Sequence, residues 1–196
     1  MRRVVGAIVI ALALLAPQAA WAEDMSGNVQ FLVGQRYLGD FWKPLDTPMM
    51  FGVSVDFAPE SAPVHVALGA SMAGDQQVIS GPYFGETGDV QDGFFEISAG
   101  FVWLPVKKSV ARPYLGAGIV ILGAGVGANF DFWDTGTGDH SFGFYGDAGI
   151  FFKVGDTFNI GLDGRIVRGT SITLAEQDGD ADYEQASLLL GFSFGK

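Results

Sequence analysis

From residue 23 onward, large apolar residues alternate with small or polar ones in one stretch after another, and this period of two is what most restricts the fold. Eight such stretches occur, at 28–38, 49–57, 64–72, 95–103, 113–123, 142–152, 158–166 and 185–194. The second is the cleanest: Met49, Phe51, Val53, Val55 and Phe57 alternate with Met50, Gly52, Ser54 and Asp56. In the fifth, Leu115, Ala117, Ile119 and Ile121 form the apolar set, opposite Tyr114, Gly116 and Gly118. Each stretch is close to the ~9–11 residues that a tilted strand needs to cross a bilayer. No run after residue 22 has helical periodicity or approaches the ~20 apolar residues of a membrane helix.

Alternation alone also fits a soluble barrel with its apolar set inside, around a ligand. Three features favour the opposite orientation, apolar side out. The other face is glycine, serine, amides and isolated charges, which suit the narrow lumen of an eight-stranded barrel. The connections alternate in length: 58–62, 104–112 and 154–157 at one end, against 39–48, 73–93, 124–140 and 169–182 at the other. Short periplasmic turns and long extracellular loops have this asymmetry. Prolines fall in connections (Pro44, Pro59, Pro82, Pro105) or at strand starts (Pro48, Pro63, Pro113), where no ladder donor is lost.

Aromatic residues gather near both sets of strand ends. Phe41, Trp42, Phe94, Phe130, Phe132, Trp133 and Tyr183 lie toward the long loops; Phe57, Trp103, Tyr114, Phe152, Phe158 and Phe194 lie toward the short turns. Two belts of amphipathic rings mark the two edges of a bilayer. The expected architecture is an all-β, eight-stranded antiparallel transmembrane barrel over residues 23–196.

The first 22 residues read differently. Arg2 and Arg3 precede the apolar run 4–15, then Pro17 and Ala20-Trp21-Ala22, the layout of a cleaved secretory signal peptide over 1–22. With no cysteine in the chain, a lipid-anchored form is excluded. Cleavage removes two arginines and no acid, leaving nine Lys and Arg against 22 Asp and Glu, a formal charge of −13. That balance excludes nucleic acid as a partner, since phosphates need a basic surface.

The segments 112–118 (Arg-Pro-Tyr-Leu-Gly-Ala-Gly), 144–150 (Phe-Tyr-Gly-Asp-Ala-Gly-Ile) and 160–165 (Ile-Gly-Leu-Asp-Gly-Arg) resemble the small outer-membrane β-barrel domain superfamily, the OmpA/OmpX-type and porin-family barrels. The resemblance runs over the whole mature chain and rests on glycine–aromatic strand patterns. It implies the outer membrane of a Gram-negative bacterium, contact with outer-membrane lipid and lipopolysaccharide, and insertion by the barrel assembly machinery. The last strand carries apolar residues at alternate positions up to Phe194, like the signal such proteins show to that machinery, although Gly195 and Lys196 follow here.

Candidate chemistry is sparse. Arg36, Asp56, Glu96, Asp147, Asp163 and Arg165 share the polar face and form an expected lumen network, because an isolated charge there is costly. Asp163 and Arg165, two apart on one strand, are expected to join it together. Some barrels of this size trim lipid A with a serine, a histidine and a carboxylate. Here only His65 and His140 exist, and Ser141 adjoins His140, so the two point to opposite faces of a strand. His65 reads as a lumen residue and His140 as a loop residue. The run 123–127 lacks the spacing of a nucleotide loop and reads as a strand end becoming loop.

Asp178, Asp180 and Asp182 alternate like the start of a calcium loop, but Tyr183 stands where its glycine belongs. The long loops also carry Asp75, Glu86, Asp89, Asp92, Asp131, Asp134, Asp139 and Glu176, with no lysine or arginine within 73–93, 124–140 or 169–182. Weakly held divalent cations are the expected partners of such a rim. No cofactor is expected. A structural or surface-interaction role leads, a small-solute or hydrophobic-compound channel is the alternative, and a lipid A-modifying enzyme comes third.

Overall fold

A computed structural model describes residues 25–43, 45–80, 87–106, 109–128, 137–174 and 176–195. The expected signal segment 1–22 lies outside the described residues, as do Glu86, Phe130, Asp131, Phe132, Trp133 and Asp134.

Eight strands form a closed antiparallel barrel: β1 (Met25–Leu38), β2 (Met49–Pro59), β3 (Val64–Gly74), β5 (Thr87–Trp103), β6 (Ala111–Ala128), β7 (Thr137–Val154), β8 (Phe158–Arg168) and β11 (Tyr183–Phe194). Each pairs with its neighbour in the chain, with β3 beside β5 from Val64↔Trp103 to Ala73↔Phe94. The ladder from Gly27↔Phe194 to Leu38↔Tyr183 joins the first strand to the last and closes the ring. Closure leaves no row of unpaired amides and carbonyls, which hydrocarbon would not tolerate.

All eight expected stretches fall on barrel strands, and their phase is as the alternation implies. Phe31, Phe51, Phe101, Leu115, Ile121, Phe144, Leu162 and Leu188 are exposed on the outer wall. Their chain neighbours face the inside. Val53 and Val55 lie on the outer face but are buried, because they are short and stand beside Phe31 and Val29 in the ladder. The fifth stretch has the expected phase, with Tyr114 and Val120 inside and Ile119 and Ile121 outside.

The expected loops hold more structure than the sequence suggested. Whereas β2 and β8 are 11 residues long, β5, β6 and β7 run to 17 or 18 and rise beyond the other strands at the long-loop end. Thus 124–126, expected to be loop, pairs with 137–139 on β7, 127–128 pairs with 90–91 on β5, and His140 lies on β7 rather than in a loop. Within 73–93, the short strand β4 (Gln76–Ser80) pairs with the start of β5. Within 169–182, strands β9 (Ser171–Leu174) and β10 (Gln177–Asp180) form a hairpin after a turn at Gly169, whose φ of 82° suits glycine. A 3₁₀ turn, Asp40–Trp42, follows β1.

Candidate functional site

The lumen is filled in layers. At the long-loop end the inner residues are apolar: Met50, Phe94, Val120, Leu122 and Val167 are all buried there. Trp42 drops onto this cluster from the loop after β1, its ring 4.5 Å from that of Phe94. Its indole N–H donates to the Asp180 carbonyl at 2.9 Å, which ties the β9–β10 hairpin over the mouth. Ile172 and Leu174 add the hairpin's apolar face. Trp42, Phe94 and Tyr183 are therefore not part of an aromatic belt. The parity of β5 and β11 turns Phe94 and Tyr183 inward, and a cluster of apolar partners draws in Trp42.

Below the cap sits a charged cluster centred on Glu96, which is 2% exposed. It accepts from the Arg36 guanidinium at 3.2 Å and from the Tyr183 hydroxyl, and it is ion-paired with the Arg165 guanidinium at 2.8 Å. Arg36, fully buried, also donates to Ser71 at 2.6 Å and Gln185 at 3.2 Å. The two cations lie against aromatic faces: Arg36 is 4.3 Å from the Tyr183 ring centre and Arg165 3.9 Å from that of Tyr145. Glycine makes room for two of the inward-facing tyrosine rings, Tyr145 and Tyr114. A Cβ at Gly118 would stand 2.6 Å from the Tyr145 ring, and one at Gly149 would overlap the Tyr114 hydroxyl.

The remaining expected members do not join that cluster. Asp163 accepts from the Tyr114 hydroxyl at 2.5 Å instead of pairing with Arg165, which reaches across the lumen to Glu96. Asp147 lines a cavity of about 50 Å³ beside Gln30, Ser54 and Tyr114, room for no more than a few water molecules. Asp56 belongs to a separate group toward the short turns. It accepts from Asn28 at 2.9 Å and Gln30 at 2.9 Å, and His65 Nδ1 lies 2.6 Å away. His65 is thus a lumen residue, as expected, while His140 is exposed. Among the described residues neither imidazole is hydrogen-bonded to a serine hydroxyl.

A second cavity, of about 390 Å³, lies at the short-turn end beneath Asp56 and His65. Its key residue, Arg112, falls by sequence in the connection 104–112. In the structure it is the second residue of β6, two before Tyr114 on the same inward face, and its guanidinium donates to Asn159 and, at 3.4 Å, to Ser193.

At the long-loop end the aspartates of the last loop do not converge. The Asp182 carboxylate accepts from the Thr170 amide at 2.8 Å and hydroxyl at 2.9 Å, holding the base of the hairpin, and Asp178 accepts from Thr173 at 2.7 Å. Asp139 accepts from the Thr173 amide at 2.8 Å and also from the His140 amide, and these bonds hold its carboxyl below the usual range. Burial pushes Asp92 up to about 7 although the Asp75 amide donates to it. Among the described residues no three acids or histidines are grouped to hold a metal.

No protein-family model and no curated protein sequence matches the chain. Solved structures do. The N-terminal β-barrel domain of Pseudomonas aeruginosa OprF is similar at 15% identity and a TM-score of 0.52, over 86% of this chain and 99% of that one. Neisserial surface protein A is similar at 13% identity and a TM-score of 0.56, over 88% and 97%. The attachment invasion locus protein Ail of Yersinia pestis, solved in complex with the heparin analogue sucrose octasulfate, is similar at 14% identity and a TM-score of 0.54, over 88% and 99%. The fold is that of the eight-stranded outer-membrane β-barrels.

Proposed function

We propose that the protein is a non-conducting, non-enzymatic barrel with a structural or surface-interaction role in the outer membrane of a Gram-negative bacterium, reached after export and removal of residues 1–22. The carrying observation is the blocked lumen. An apolar cap under Trp42 and the β9–β10 hairpin lies above a buried Arg36–Glu96–Arg165 cluster, and the cavity that Glu96 and Arg165 line is only about 50 Å³. Hydrated ions need a continuous wet path, and small solutes need more room still. Outer-membrane lipid is the proposed neighbour of the apolar wall, and the barrel assembly machinery its route of insertion. Refolded protein in planar bilayers is expected to give no steady conductance. Stable ohmic steps would overturn this reading in favour of a channel.

The long-loop rim supports the interaction half of the proposal. Asp75, Asp92, Asp139, Glu176, Asp178, Asp180, Asp182 and Glu184 stand there, with Lys43 and Arg168 as the bases among the described residues of that end, paired to Asp40 and Glu184. Ail was solved with a polyanion; a rim of this sign favours cationic partners instead. Divalent cations would bridge its carboxylates to lipopolysaccharide phosphates, which the rim alone repels. Millimolar calcium or magnesium should raise the temperature of the heat-induced gel shift gradually and with little preference between the two. Insensitivity to both would remove the cation bridge from the proposal.

A further inference from the structure

The cavity at the short-turn end has the makings of a ligand site, and it lies at the opposite end from the acidic rim. Its volume of about 390 Å³ is within the range of small-molecule pockets. Arg112, Lys153, Asn28 and Ser193 line it, so two cations stand beside an amide and a hydroxyl. Glu60 and Asp156 line it too, but both are exposed at its edge, where water screens them. Arg112 is set deeper. It is half-buried, and its guanidinium is hydrogen-bonded to a neutral amide and a neutral hydroxyl rather than to a carboxylate. Its Nε is buried and has no hydrogen-bond partner among the described residues. Arg112 makes no ion pair among those residues either.

The nearest buried carboxylate does not relieve this. Asp56 is committed to Asn28, Gln30 and His65, and it acts on Arg112 only at a distance. A cation withdrawn from water without a contacting counter-charge is costly, and an oxyanion that completes its hydrogen bonds recovers that cost. The planar fork of a guanidinium suits two oxygens of one carboxylate or phosphate.

From this geometry we infer that the cavity is a binding site for a small oxyanion, a carboxylate or phosphate, with Arg112 as its anchor and Lys153 as a second charge at the mouth. The ligand enters from the short-turn side, since the charged cluster and the apolar cap close the other. The inference does not depend on whether the barrel conducts or what meets its rim.

The test uses the protein from residue 23 onward, refolded in detergent micelles and labelled with ¹⁵N, and follows arginine Nε–Hε signals. Inorganic phosphate and citrate are titrated separately against sodium chloride of matched ionic strength. One arginine signal, absent in Arg112→Gln, should shift saturably with at least one of the two anions, and the anion that saturates identifies the class. Arg112→Gln should weaken binding by about tenfold or more, as for loss of a charge-assisted hydrogen bond, while Arg168→Gln leaves it unchanged. Lys153→Gln, at an exposed position compatible with folding, should weaken it by about two- to fivefold. Heat-dependent gel mobility checks that each variant is folded. Saturation by neither anion up to about 20 mM, a limit corresponding to very weak binding, overturns the site. So does binding that survives both Arg112→Gln and Lys153→Gln, or, if Arg112→Gln does not fold, binding that Lys153→Gln leaves unaltered.

Discussion

Replacing Glu96 with alanine should destabilise the barrel by about 3–5 kcal/mol, the cost of leaving a buried ion pair without one partner. Glu96 is the carboxylate that contacts both Arg36 and Arg165, at 3.2 and 2.8 Å, and it also accepts from Tyr183. Without it, two guanidinium groups face each other in a lumen sealed above by Trp42 and its neighbours. Glu96→Gln keeps the shape and one acceptor and should cost less. Urea titrations in phospholipid vesicles, followed by tryptophan fluorescence, would measure both. Removing the whole cluster tests the same cause from the other side. With Arg36 and Arg165 changed to methionine and Glu96 to leucine, no guanidinium is left facing another without a carboxylate between them, and most of the loss should disappear. A Glu96→Ala variant as stable as the parent would mean that water reaches both arginines, and the blocked lumen would have to be abandoned.

What could be read from the sequence follows from which interactions are local. Strand phase depends on residues two apart, so alternation placed Arg36, Asp56, Glu96, Asp147, Asp163 and Arg165 on the inner face without any knowledge of pairing. Their partners depend on register between strands far apart in the chain. Glu96 meets Arg36 from 60 residues away and Tyr183 from 87. Nothing in the run 163–165 announces that Arg165 reaches across the lumen while Asp163 turns to Tyr114. Arg112 was legible in principle. It is two residues before Tyr114 and four before Gly116, so carrying the alternation across Pro113 puts it inside. Pro113 reads as a strand start because it has no amide to donate, yet the strand begins two residues earlier, at Ala111. Trp42 offered no such signal. It lies in a connection without periodicity, and only the hairpin carbonyl of Asp180 and the ring of Phe94 explain why it leaves the membrane edge.

The lipid-facing wall predicts an equally sharp contrast between two residues three apart on β8. Leu162 sits on the central rungs of that 11-residue strand, opposite Ile150 on β7 and Leu188 on β11, and all three point outward. Leu162→Arg places a guanidinium at the depth where hydrocarbon solvates it least. The expected cost is about 2–4 kcal/mol, as for arginine near a bilayer midplane. Asn159 faces the other way. It is buried, accepts from Arg112 and donates to Ser193 at 2.7 Å. Asn159→Asp loses that donation but sets a carboxylate against a guanidinium that now has none, so the net change should stay within about 1 kcal/mol. Because Arg112 would then hold an internal anion, the same variant should also weaken phosphate or citrate at the short-turn cavity, which separates its two effects. Paired urea titrations of Leu162→Arg and Asn159→Asp in vesicles decide the question. If the two variants lose the same stability, or Leu162→Arg loses none, the outer face of β8 does not meet hydrocarbon.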